Sequence, residues 1–146
     1  MAREDLETIA DELHRDIEIE PPISAIMLAE ASGLTVSTPN KRDARVRGVI
    51  LVVDMTLGAL EVEAQAALHY AQWRLRRERA RADDESVDYL ARALLLPRES
   101  FRRDLRKTRN VKSLQRIHTY ACERFIERRI LDLSSEVAEL RLVSRR

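Results

Sequence analysis

Apolar residues recur at helical spacing over most of this chain, and the spacing changes to a strand-like pattern in only one region. Leu6, Ile9, Ala10, Leu13 and Ile17 fall on one face of a helix, which predicts an amphipathic helix over residues 3–16. Pro21-Pro22 stops any continuation, because proline lacks the N–H a helix interior needs. Ile23, Ile26, Met27, Leu28 and Ala31 then predict a short second helix, ended by Gly33 just past its C-terminus. The period shifts after that. Leu34 to Thr38 reads as a strand, Pro39 to Asp43 as a turn, and Val46 to Asp54 as one or two strands broken near Gly48.

From about Leu60 onward the pattern is helical again. Leu60, Ala64, Ala67, Leu68, Ala71 and Leu75 form the core stripe of a helix reaching about Arg79. Asp83 or Asp84 caps the next helix, which runs through Tyr89, Leu90, Ala93 and Leu94 to Leu96 and is ended by Pro97. Ser100 to Lys107 reads as one or two basic helical turns. Leu114, Ile117, Ala121, Phe125 and the stem of Arg128 make a further stripe, and Ser134-Ser135 caps a last short helix, Glu136 to Val143. The expected fold is therefore α+β and mostly helical. Five to seven helices surround the 60–80 helix, with a small two- or three-stranded sheet from residues 34–54 on one side. Residues 1–109 are expected to form the principal domain, and 110–146 a C-terminal helical extension packed on it.

Composition narrows the class. The 146 residues suit one domain with a real core, and 45% apolar with 35% charged residues fits a helix-rich globular chain. Three glycines and four prolines argue against an all-β fold. A net charge of +1 is too small to predict nucleic-acid binding from bulk electrostatics. Cys122 is the single cysteine, which excludes an internal disulfide and a Cys-rich zinc site; it reads as a small buried apolar residue. No apolar run approaches the ~18–20 residues of a membrane span, and the N-terminus has no apolar signal core, so a cytoplasmic location without membrane contact is the expectation.

Candidate chemistry centres on residues 61–73. A zinc helix of the H-E-x-x-H type needs imidazoles at i and i+4 to share a metal, with the intervening Glu as general base. With His69 as the first ligand, Tyr70 stands at the base position and Trp73 at the second ligand position. With His69 as the second ligand, Gln65 and Ala66 fill the other two positions. Neither register supplies a carboxylate to activate water, and one imidazole falls short of the three protein ligands of a catalytic zinc. Trp73 either fills the volume a metal site would occupy, the favoured reading, or lines a groove for a partner.

Four blocks in order resemble the ImmA/IrrE family of bacterial zinc-peptidase-like proteins. They are Glu20 to Val36 (EPPISAIMLAEASGLTV), Val46 to Ile50 (VRGVI), the helix around His69, and Asp84 to Phe101 (DESVDYLARALLLPRESF). The resemblance implies a zincin-like helical domain and places Asp84, with Glu85 beside it, at a third ligand position. It also implies a degenerate pseudo-peptidase without metal or cofactor. Active members cleave or act beside helix-turn-helix repressors, so a non-catalytic regulator that binds a repressor, another transcription regulator or a protease is expected. The expected contact surface joins His69, Tyr70, Trp73 and Asp84 to the basic residues Arg74, Arg77, Arg98, Arg102, Arg103 and Arg106. Two alternatives stand beside it: a DNA-binding transcription regulator using the basic helices, and a residual zinc peptidase. Some relatives carry a further helical segment, and residues 110–143 would form either a helix-turn-helix-like pair or, as favoured, a helical cap or homodimer surface.

Overall fold

The computed structural model describes residues 2–37, 45–47, 50–52 and 57–144, with side chains described for 2–36 and 57–134. Among the described residues the order is α1 (Arg3–Ile17), α2 (Ala25–Ala31), β1 (Thr35–Ser37), β2 (Arg45–Arg47), β3 (Ile50–Val52), α3 (Ala59–Arg77), α4 (Asp84–Leu95), α5 (Arg98–Lys107), α6 (Val111–Ile117) and α7 (Glu123–Ser144). The chain is mostly helical, with a small three-stranded sheet in the order β1-β3-β2. β1 runs parallel to β3 with Val36 opposite Leu51, and β2 is antiparallel to β3 with Val46 opposite Leu51. The turn expected over 39–43 and the break near Gly48 lie outside the described residues.

Local chemistry explains where the helices begin and end. Ser24 accepts the Met27 N–H and so caps α2. Gly33, at φ +90°, closes that helix: its N–H donates to the Glu30 carbonyl and Leu34 N–H to the Ala29 carbonyl, the paired bonds of a Schellman end. Asp83, one of the two residues expected at the start of α4, accepts the Ser86 N–H at 2.8 Å and is the cap. Asn110 does the same for α6 through Ser113. Pro97 separates α4 from α5.

α3 is the central element and packs against α2, α4, β2 and β3. Its inner face is Val62, Ala64, Ala67, Ala71 and Leu75, whose small residues let α4 approach closely. One continuous core runs from Leu6 on α1 to Leu133 on α7.

Two expectations about the C-terminal third are corrected. The stripe from Leu114 to Phe125 is not one helix. α6 ends at Ile117, and a turn held by the Ala121 N–H on the His118 carbonyl leads to α7, which starts at Glu123. That turn buries His118, Ala121 and Cys122 and leaves Ile117 exposed. The last segment is also not a separate short helix. α7 runs unbroken to Ser144, because Leu131 to Ser135 contains neither Gly nor Pro and serine costs a helix interior only about 0.5 kcal/mol. Arg128 is exposed, and its neighbour Arg129 takes the inward position.

Arg129 is the largest fully buried side chain in the described core. Its guanidinium donates to both carboxylate oxygens of Glu7 at 2.7 and 2.9 Å, and its Nε donates to the Leu96 carbonyl at 3.0 Å. Tyr89 donates its hydroxyl to Glu7 at 3.2 Å, and Arg92 makes two bonds to Asp132 at 2.9 and 3.0 Å. Burial first, and the Glu7 charge second, push the Tyr89 phenol up to about 12. The network ties α1, the end of α4 and α7 together, and its central pair is withdrawn from solvent, with Arg129 0% and Glu7 1% exposed. Arg129→Met is therefore expected to destabilise the fold by about 3–5 kcal/mol in urea unfolding, because it strands the Glu7 carboxylate. Glu7→Leu/Arg129→Met should recover more than half of that loss.

Candidate functional site

The residues picked from sequence occupy different environments. Tyr70 is fully buried, and its hydroxyl lies 2.6 Å from Ser32 Oγ. Ser32 spends its own proton on the Leu28 carbonyl at 2.9 Å, so Tyr70 must donate. Burial raises the Tyr70 pKa above its ordinary value, offset in part by the Ser32 bond. Two helical turns before it, Glu63 accepts Ser24 Oγ–H at 2.7 Å and Ala25 N–H at 2.6 Å. Glu63 and Tyr70 together fasten α2 to α3.

Trp73 is half-buried at the edge of the core, tilted against Tyr70 at 5.7 Å between centroids and covered by the Arg77 guanidinium at 5.3 Å. It covers the core margin rather than filling its centre; Tyr70 takes the fully buried place. His69 is half-buried, and burial alone lowers its pKa. In the alternative register, Gln65 keeps its side-chain oxygen buried without a hydrogen-bond partner, and Ala66 is fully buried. Asp84 is exposed at the first position of α4, beside the capping Asp83. No hydrogen bond or ion pair joins His69 to Asp84, and among the described residues no group of three His, Cys, Asp or Glu is placed to hold a metal ion. One half-buried imidazole, a donor phenol and a solvated carboxylate do not fit the ligand and base requirements of a zinc peptidase.

The basic residues divide as well. Arg98 bonds Glu4 at 3.0 Å and Asp11 at 2.9 Å. Burial works against its charge, but the Glu4 bond and the Asp11 charge more than compensate, and its pKa is raised. Arg74 pairs with Glu78 at 2.9 Å. Arg103 and Arg106 are exposed on α5, and Arg102 is half-buried there.

A cleft of about 690 Å³ opens where α4 and α7 diverge, with Leu68 of α3 at its edge. Tyr89 and Phe125 form its floor, Glu85, Asp88 and Arg128 stand on its walls, and Leu131 sits on the rim at 66% exposed. None of His69, Tyr70, Trp73 or Asp84 lines it, although their chain neighbours Leu68 and Glu85 do. Sequence reading missed this site. Its signal was the spacing Phe125, Arg128, Leu131 on α7 opposite Glu85, Asp88, Arg92 on α4, three or four residues apart on each helix and so on one face of each.

Two further imidazoles, one half-buried and one buried, sit away from the cleft. His14 lies 2.7 Å from the Leu94 carbonyl, so its Nε2 carries the proton and donates. Burial lowers its pKa below 6.5, against the opposing pull of that bond. His118 is 1% exposed and bonds Asp104 at 2.8 Å.

In comparisons with known proteins, no family model, no curated protein and no solved structure matches this chain.

The histidine environments set a pH dependence. The unfolded chain takes up protons on His14 and His69 near pH 6.5, whereas the folded chain resists until lower pH. The unfolding free energy should therefore fall as pH drops below about 6.5. Urea midpoints for His14→Gln should show a shallower fall between pH 7 and 5 than those of the parent chain.

Proposed function

We propose that this chain is a non-catalytic regulator that acts by binding another protein, on a zincin-like scaffold related to the ImmA/IrrE proteins. The observation that carries the reading is the environment of Tyr70. At the position where a zinc peptidase holds its general base, the phenol donates a hydrogen bond to Ser32 and its pKa is raised, so it keeps its proton and cannot take another from water at neutral pH. That position has become a structural joint between α2 and α3. The other register supports the same conclusion, since Ala66 offers no proton acceptor at all.

The cleft between α4 and α7 is the surface best suited to a protein partner. It has an aromatic floor, charges of both signs on its walls and an exposed leucine at the rim, the mixture that forms an apolar anchor within a polar border. A helix of a repressor, another transcription regulator or a protease that presents one apolar side chain between charged neighbours fits this chemistry.

The purified protein should hold less than about 0.1 zinc per chain, well short of the one ion a catalytic site requires. A photo-reactive residue in place of Leu131 should cross-link in host cells to one protein of the repressor or protease class. The adduct should disappear in Phe125→Ala, a substitution at a typical anchor position. Stoichiometric zinc together with peptide hydrolysis lost in His69→Ala would contradict the proposal, as would cross-links scattered over many proteins and indifferent to Phe125.

A further inference from the structure

The chain is nearly neutral overall, yet its charge is strongly segregated. Residues 1–20 carry eight carboxylates and two arginines, whereas residues 98–116 carry eight cations and only Glu99 and Asp104 as acids. α5 and α6 are two helices joined by the three residues 108–110, and they display most of that positive charge. Arg103, Arg106 and Lys107 stand at i, i+3 and i+4 on the outer face of α5, opposite the buried Phe101 and Leu105. Arg109 follows in the connection, and Lys112 and Arg116 stand one turn apart on α6. All six are exposed, and none has an ion-pair or hydrogen-bond partner among the described residues.

These six differ from the arginines that join the helices to one another or brace a single helix. Arg74, Arg92, Arg98 and Arg129 are each bound to a carboxylate. Within the patch, the one acid placed to neutralise it, Asp104, is turned inward onto His118 at 2.8 Å. Glu99 lies at the far end of α5, about two turns from Arg106. Six like charges on two helices joined by three residues, with the nearest acid turned inward, repel one another unless an anionic partner supplies the missing sign.

We infer that the outer face of α5 and α6 binds the phosphate backbone of duplex nucleic acid, without reading its sequence. Cations spread over two helices and their connection match a polyanion that offers phosphates at regular intervals, rather than a single anion. The acidic α1 of a second copy also has the complementary sign, but Glu4, Glu7 and Asp11 of α1 are already paired with Arg98 and Arg129 within the chain. This surface is separate from the α4–α7 cleft, so the inference does not depend on the proposed protein partner.

The test is fluorescence anisotropy of the full chain with a labelled random-sequence duplex of 24 base pairs, between 50 and 200 mM NaCl. Affinity should fall by about 10²–10³ across that range, as expected for about four to six neutralised phosphates. Arg103→Gln/Arg106→Gln/Lys107→Gln keeps helix-forming side chains at exposed positions. It should bind at least ~10-fold more weakly at 50 mM, with the log–log salt slope reduced by about 2 to 3. A charge-matched control, Arg76→Gln/Arg79→Gln/Arg81→Gln, should change affinity less than ~2-fold, because these cations lie outside the patch. Absence of binding at 50 mM salt, or an equal loss in the control, would overturn the inference. Displacement of the duplex by polyglutamate of equal charge and concentration would assign the patch to an acidic protein instead. Salt-sensitive self-association abolished by the α5 variant, with no duplex binding, would assign it to a second copy.

Discussion

The buried pair between Arg129 and Glu7 is the constraint on which the rest of the structure depends. A guanidinium and a carboxylate withdrawn from water are tolerable only when well partnered, and here the Leu96 carbonyl and the Tyr89 hydroxyl add to the two bonds between Arg129 and Glu7. The requirement fixes three things at once: the depth of α1, the point where α4 ends and the rotation of α7. An apolar side chain in place of Arg129 would allow α7 to slide or turn by a residue; the two-pronged bond to Glu7 permits one register. The cleft inherits its shape from this arrangement. Tyr89 forms its floor and bonds Glu7, while Asp132 lies in its wall and bonds Arg92.

A second set of polar contacts holds the other side of α3. Glu63 bonds the N-terminus of α2, and Tyr70 bonds Ser32 near its C-terminus. The two residues are seven apart and therefore on the same face of α3, so α2 is fastened at both ends. In the proposed reading, this use of Tyr70 is what separates the helix from a hydrolytic one, because a phenol committed to a buried hydrogen bond is not placed to activate water. The surfaces proposed for interaction lie elsewhere, in the cleft on one side and on the cationic residues of α5 and α6 on the other.

Much of the helical framework was legible in the sequence because local chemistry decides it. The apolar stripe of α1, the stop at Pro21-Pro22, Gly33 as a left-handed closing residue, the aspartate cap of α4 and the break at Pro97 all rest on short-range preferences. The C-terminal third was less legible. Ser134-Ser135 has the composition of a cap, but nothing nearby breaks the helix, and burial of Leu133 carries α7 through it. Glu7 and Arg129 were not singled out, since charged residues are presumed solvated. Yet Glu7 follows Leu6 on the inner face of α1, and Arg129 falls four residues after Phe125 and four before Leu133. Only the pairing of positions 122 residues apart reveals why both point inward. The candidate site was legible in part. His69, Tyr70 and Trp73 were correctly placed on one helix, but their separate environments depend on tertiary contacts with Ser32 and Arg77 that no spacing encodes.

Native-state hydrogen exchange tests the central claim most directly, by asking whether the Arg129–Glu7 pair makes α1, α4 and α7 one cooperative unit. Core amides such as those of Leu13, Leu94 and Ile126 should exchange with a common free energy close to that of global unfolding, and should lose protection together in Arg129→Met. Protection of α1 and α4 that survives in this variant while α7 alone exchanges freely would contradict the account.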